Sequence, residues 1–236
     1  NGTIRGSEYT PVDLPLDITM PAFPTPAPGT EDHDIPRGGS LTLAPGSYGE
    51  IMVRKNATLT LTGGTYHFDN LNLGSFHAKV LFQAPTDLII NNRLEPGKSG
   101  VIGPEEGSGI SANDIRIYVN GINGNTGNPG ATPKAAQIGY TNTLKANIYA
   151  PNGTLWIRRG TVAEGAFIGG DVKIGQNVQV TLNSGYSGFG GQGPGDDLDG
   201  DGFTENQGDC NDNDAAINPA TPEACDGVDN NCDGQI

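Results

Sequence analysis

The chain has 236 residues, 27 acidic against 13 basic, and a net charge of −14. That charge is concentrated between Asp196 and Ile236, a stretch dense in carboxylates with no Lys or Arg, so the remainder is nearly neutral. The balance leaves no basic footprint for nucleic acid or anionic lipid, and no apolar run of about 18 residues is present to cross a bilayer.

Gly is 37 and Pro 17 of the residues, and aromatic side chains are sparse, with one Trp. No window sustains the i, i+3, i+4, i+7 apolar spacing of a helix. The chain opens at Asn1 without an initiator Met and stops within a pattern at Ile236. It reads as a processed piece of a longer secreted precursor.

Residues 1–37 form an extended Pro-rich arm. Within residues 11–20, Val12, Leu14, Leu16, Ile18 and Met20 alternate with Asp13, Pro15, Asp17 and Thr19. This puts five apolar side chains on one face of an extended strand. Pro15 has no N–H for a ladder, which confines the segment to an edge or added strand. It either folds back over its own domain or completes the sheet of a neighbour, as in strand donation. The stretch P-A-F-P-T-P-A-P that follows is a semi-rigid spacer.

Residues 38–190 are dense in short alternating runs. Examples are Leu59-Thr60-Leu61, Leu71-Asn72-Leu73, Ile115-Arg116-Ile117-Tyr118-Val119 and Val178-Gln179-Val180. Period two over a few residues, broken by Gly, Asn or Pro, is the strand signature. Ala44-Pro45, Ala84-Pro85 and Ala150-Pro151 each follow an apolar strand. Their separations read as two and then three coils of about 20–22 residues each, which predicts a β-solenoid of about seven coils. A β-sandwich is the competing all-β architecture. The loop 120–134 is an excursion from one coil or a binding loop.

The stretch A-N-I-Y-A-P-N-G-T-L-W-I-R-R-G-T-V-A-E-G-A-F-I-G-G-D-V-K-I-G, from Ala146 to Gly175, resembles the short right-handed β-helices of bacterial surface and pilus-associated proteins. The resemblance implies a right-handed parallel β-helix in a cell-surface or appendage setting, and no particular activity.

Residues 191–236 form a small acidic module. Its segment D-L-D-G-D-G-F places Asp197, Asp199 and Asp201 at the first, third and fifth positions of an oxygen-donor loop. Gly202 makes the turn and the Phe203 carbonyl follows. The twelfth position is Gly208, which has no side-chain oxygen, so Asp209 stands in and the loop is not a standard EF-hand. A second ligand set draws on Asp209, Asn211, Asp212 and Asp214, with Asp226, Asp229 and Asp233 folding back. Together they predict about two Ca²⁺ ions, and calcium of that abundance points outside the cell. Cys210, Cys225 and Cys232 all lie here. One pair can form, three pairings are open, and the third thiol is left over. The spacings and the lack of nearby His argue against zinc.

The run from Asp197 through Gly208-Asp209-Cys210 to Ile236 resembles the metal-binding motif of many secreted bacterial proteins, named after a copper-binding surface protein of a methanotroph. The family name implies copper. The residues favour a hard cation, because no His follows His77 and no Met follows Met52.

No nucleophile elbow, phosphate loop or zincin motif occurs, and His33, His67 and His77 are scattered, so no enzyme is expected. Arg158-Arg159 after Trp156 reads as a charged strand face or a contact for sugar or acidic polymer. Sequons at Asn1, Asn56 and Asn152 leave surface glycans open. The expected function is a structural subunit of an extracellular bacterial fibre or surface appendage. It self-associates into a homopolymer by strand addition of the arm and is stabilised by Ca²⁺. A carbohydrate-binding or carbohydrate-active secreted β-helix and a monomeric surface adhesin are the alternatives.

Overall fold

The computed structural model describes residues 20–74, 76–95, 97–186, 201–203, 208–211, 214–224 and 227–235. Two compact units emerge, residues 1–186 and residues 187–236. Of the residues expected to matter, Val12, Leu14, Leu16, Ile18, Asp197, Asp199, Asp212, Cys225 and Asp226 lie outside the described set.

The first unit is a parallel β-solenoid of about seven turns. Its first coil is β1 (His33–Ile35), β2 (Ser40–Leu43) and β3 (Gly46–Ser47), and its second is β4 (Glu50–Val53), β5 (Thr58–Leu61) and β6 (Gly64–Phe68). Then come β7 (Asn70–Leu73), β8 (Lys79–Phe82) and β9 (Thr86–Ile90), followed by β10 (Leu94–Glu95), β11 (Val101–Pro104) and β12 (Ile115–Val119). The last coils are built from β13 (Ala136–Ile138), β14 (Thr143–Lys145), β15 (Asn147–Ile157), β16 (Val162–Glu164), β17 (Phe167–Ile174) and β18 (Gln179–Thr181).

Every strand pair is parallel, and the pairing defines three faces. On one face Ser40, Thr58, Lys79, Val101, Thr143, Val162 and Gln179 are successive register partners, one to each coil. The widest gap in that series, from Val101 to Thr143, holds the excursion 120–134. Only the first two Ala-Pro pairs share a corner, just after β2 and β8. Ala150-Pro151 lies inside β15, on a different face. There the chain stays extended round the corner, so one strand of 11 residues pairs with β12 at one end and β13 at the other.

The core follows from period two. Inward residues stack on their equivalents in the next coil: Tyr66 on Leu88, Ile117 and Ile148, and Leu59 on Val80, Ile102, Leu144 and Ala163. All of these are buried. Each buried aliphatic or aromatic side chain contributes about 1.5–3 kcal/mol, before chain-ordering costs.

The excursion is packed, not loose. Asn123 Oδ1 accepts from the Ala135 and Thr154 N–H groups, and Asn123 Nδ2 donates to Thr154 Oγ1. The buried Lys134 ammonium donates to the Pro129 and Ala131 carbonyls. These contacts satisfy a loop that would otherwise leave polar groups buried and unpaired.

From Phe23 to Glu31 the arm runs against its own solenoid and crosses the coils. The Phe23 ring lies 5.8 Å from Tyr118 and 5.9 Å from Tyr149. The Ala27 N–H donates to His67 Nδ1, the Gly29 N–H to the Tyr48 carbonyl, and the Gly49 N–H to the Glu31 carbonyl. Tyr118 and Tyr149 point outward from their strands yet are buried, because Phe23 and Tyr186 cover them.

The two ends of the solenoid differ. In the last coil Val172, Ile174 and Val180 take inward positions, paired with Leu155, Ile157 and Ala163. They remain 41%, 49% and 50% exposed, whereas their partners are 0%, 0% and 1% exposed. In the first coil Ile35 and Leu43 are buried, and Tyr48 packs against Phe68 and His33. Among the described residues no helix is long and apolar enough to cross a membrane.

Candidate metal centre

The second unit has few apolar residues and relies on turns, side-chain caps and a crosslink. Short Asp and Asn side chains accept from N–H groups two residues ahead, which folds the chain into successive tight turns. Asp201 accepts from Phe203, Asp209 from Asn211, Asp214 from Ala216, and Asn218 from Ala220. Buried Asn218 also donates its backbone N–H to the Asn230 carbonyl, and Asn230 Oδ1 accepts from the Ala224 N–H. These two asparagines join segment 214–224 to segment 227–235.

Cys210 and Cys232 form a disulfide, with Cα atoms 5.6 Å apart. Of the three open pairings, this one ties Asp209 and Asn211 to the loop that contains Asp233. Closing a loop of this length removes unfolded-state entropy worth about 3 kcal/mol in the chain-entropy account.

The carboxylates converge at one place. Glu223, Asp229 and Asp233 each offer an oxygen, and the three oxygens lie within 4.8 Å of one another. Asp229 and Asp233 come from one loop, D-N-N-C-D-G, whose turn residue Gly234 has φ 84°. Asp229 Oδ1 accepts from the Asp233 N–H at 3.1 Å, and its Oδ2 accepts from the Gly234 N–H at 2.9 Å. Glu223 arrives from the preceding segment, and its oxygens accept from the Asn230 and Asn231 N–H groups at 3.4 Å.

Three ionised carboxylates this close repel by about 1 kcal/mol per pair even at the dielectric of bulk water, and by more where water is displaced. A bound cation reverses the sign of that term. The donors are all carboxylate oxygens, which suit hard cations. Among the described residues copper finds no His, no Met and no thiolate at the group, since Cys210 and Cys232 are oxidised and Cys225 lies outside the described set. Asp209 supplies a second observation. Its side chain is only 4% exposed, and its buried Oδ2 has no hydrogen-bond partner among the described residues. An anionic oxygen left so is costly unless a proton or a cation meets it.

The structure therefore brings together Asp229 and Asp233 of the expected ligands and adds Glu223, which sequence spacing had not singled out. Asp209 and Asp214 are not members of that group. Asn231 occupies the third position of the D-x-N-x-D-G loop, the register expected one repeat earlier at Asp197–Gly202. Applying the same register to 229–234 would have found this loop, whereas Glu223 was invisible because it comes from another segment.

Elsewhere, His67 lies on β6 and His77 at a corner, so the histidines do not meet. The Asn152 side-chain amide donates to the backbone carbonyl and Oδ1 of Asn120.

Residues 209–236 match one family model, Cu-binding MopE, whose description is "Putative metal-binding motif". No curated protein and no solved structure matches the chain. The acidic unit thus carries the MopE-like motif, joined in sequence to a β-solenoid of the kind that Ala146–Gly175 resembles.

Proposed function

We propose that the chain is a non-catalytic structural subunit of an extracellular fibre or surface appendage. Residues 11–20 of one chain add as a strand to the solenoid of the next, and Ca²⁺ holds the acidic unit in shape. The observation that carries this reading is the open end formed by Val172, Ile174 and Val180, where the strand edges of β17 and β18 also lack a further partner among the described residues. A parallel edge of this kind is a ready acceptor for one more strand.

The arm supports the reading. Phe23 packs at Tyr149, one coil below Ile168 of β17, and Met20 is 56% exposed. Val12, Leu14, Leu16 and Ile18 supply the alternating apolar face that the end lacks. Burial of these four together with Met20 would give a gross gain on the order of 10 kcal/mol before ordering costs.

A calcium ion held by Glu223, Asp229 and Asp233 would offset most of the charge of that group and fix the loop round Gly234. A disulfide and a calcium site together suit an oxidising, calcium-rich exterior.

The test is sedimentation and electron microscopy of the chain in millimolar Ca²⁺, with and without Leu14→Asp/Leu16→Asp. The wild type should sediment as filaments and the variant as a folded single chain. Filaments of normal length from the variant would exclude strand addition.

A further inference from the structure

One corner of the solenoid carries a column that the fibre reading does not use. The Asn56 N–H donates to the Phe76 carbonyl, His77 to Lys98, Ser99 to Tyr140 and Thr141 to Arg159, all at 2.9–3.0 Å. So Lys55, Phe76, Lys98, Tyr140 and Arg159 occupy one position in five successive coils, about 4.8 Å apart. The backbone behind them is tight: a side chain at Gly97 would run into the Gly74 carbonyl, and one at Gly139 into that of Gly97. Asn56, His77, Ser99 and Thr141 turn the corner in the left-handed region, at φ 52–56°. The side chains just before them stand at the vertex.

Along this column cation and aromatic ring alternate. The ammonium groups of Lys55 and Lys98 each lie 5.6 Å from the centre of Phe76. Lys98 is also 5.4 Å from Tyr140, and the Arg159 guanidinium lies 6.0 Å from the same ring. On the adjoining face Arg158 stacks over Tyr140 at 4.0 Å and Trp156 at 4.5 Å, and Lys173 lies 4.8 Å from Trp156. Among the described residues none of Lys55, Lys98, Arg158, Arg159 or Lys173 has a carboxylate within 4.0 Å. Lys98, Tyr140 and Arg159 line a shallow depression.

A row of cations without such counter-ions stands out on a chain of net charge −14. The rings between them lessen the mutual repulsion but leave the outer side of each cation free. Successive column cations are two coils apart, roughly 10 Å, along a straight line parallel to the solenoid axis.

We infer that this corner is a binding site for a linear anionic polysaccharide, a polyuronate, lying along the axis. Its carboxylates meet Lys55, Lys98 and Arg159, and its sugar rings pack on the parts of Phe76, Tyr140 and Trp156 that the stacked cations leave uncovered. The net charge of −14 repels any polyanion at long range, and it repels nucleic acid, whose charge is denser along its length, more than an acidic sugar polymer. The inference is independent of strand addition.

The test is titration of the full chain with polygalacturonate at low salt in EDTA, which keeps the acidic unit from bridging through calcium. Dextran serves as the neutral polymer and single-stranded oligo-dT as the nucleic acid. Polygalacturonate should bind, weakening as salt rises. Lys98→Gln/Arg159→Gln should weaken it about tenfold, while Lys145→Gln on another face leaves it unchanged. Phe76→Ala should also weaken it, with the salt dependence kept. Circular dichroism should show all variants folded. No binding of polygalacturonate, equal binding by the double variant, or tighter binding of oligo-dT or dextran would each overturn the assignment.

Discussion

Gly234 donates its N–H to Asp229 Oδ2 at 2.9 Å, and that bond turns the carboxylate of Asp229 towards Asp233 and Glu223. Backbone and side chain thus build the acidic group together. The turn needs a residue at φ 84°, which glycine adopts without strain.

A cation that binds only the folded form stabilises it by mass action, by about 2.7 kcal/mol at a hundred times its dissociation constant. Asp229→Asn/Asp233→Asn should abolish the calcium heat in calorimetry. The same variant should make residues 209–235 protease-sensitive in Ca²⁺, as chelator does to the wild type. Equal protease resistance with and without chelator would rule out a structural cation here.

Cys210→Ser/Cys232→Ser should destabilise the acidic unit by about 3 kcal/mol in the chain-entropy account and leave the solenoid transition in place. Differential scanning calorimetry reads both. A loss confined to the solenoid transition would contradict the assignment of the crosslink.

The Tyr186 hydroxyl is buried without a hydrogen-bond partner among the described residues, and burial pushes its phenol far above the usual value. Leaving such a group unsatisfied costs about 1–3 kcal/mol. Tyr186→Phe should therefore leave the melting temperature unchanged or raise it. Phe23→Ala, which uncovers Tyr118 and Tyr149, should lower it.

Glu164 is held below its ordinary value of 4.5, first by the hydrogen bond from Asn183 and then by Lys145, against desolvation. Its lowered folded-state value means that it stabilises the fold above the unfolded value and that this contribution is lost as pH falls through the folded one. Partial exposure limits the effect to about half a kcal/mol. Urea titrations of wild type and Glu164→Gln should differ above the ordinary carboxylate range and converge at acid pH.

The strands were readable from sequence because period two is a local property: Leu59, Val80, Ile102 and Leu144 each face inward within their own short run. Coil length was less so. The span from Thr58 to its partner Lys79 is longer than that from Val162 to Gln179, and the difference falls at the corners, where it leaves the strand register alone. The cation–aromatic column was hidden for the same reason, since only Trp156 and Arg158-Arg159 are neighbours in sequence. Glu223 and the Cys210–Cys232 pair are relations between segments, which spacing alone does not fix.

The most direct measurement is a cryo-electron microscopy map of the chain assembled in Ca²⁺. The account predicts a filament in which residues 11–20 of one subunit form a strand on the β17–β18 end of another. Single solenoids whose own residues 11–20 cap that end would contradict it.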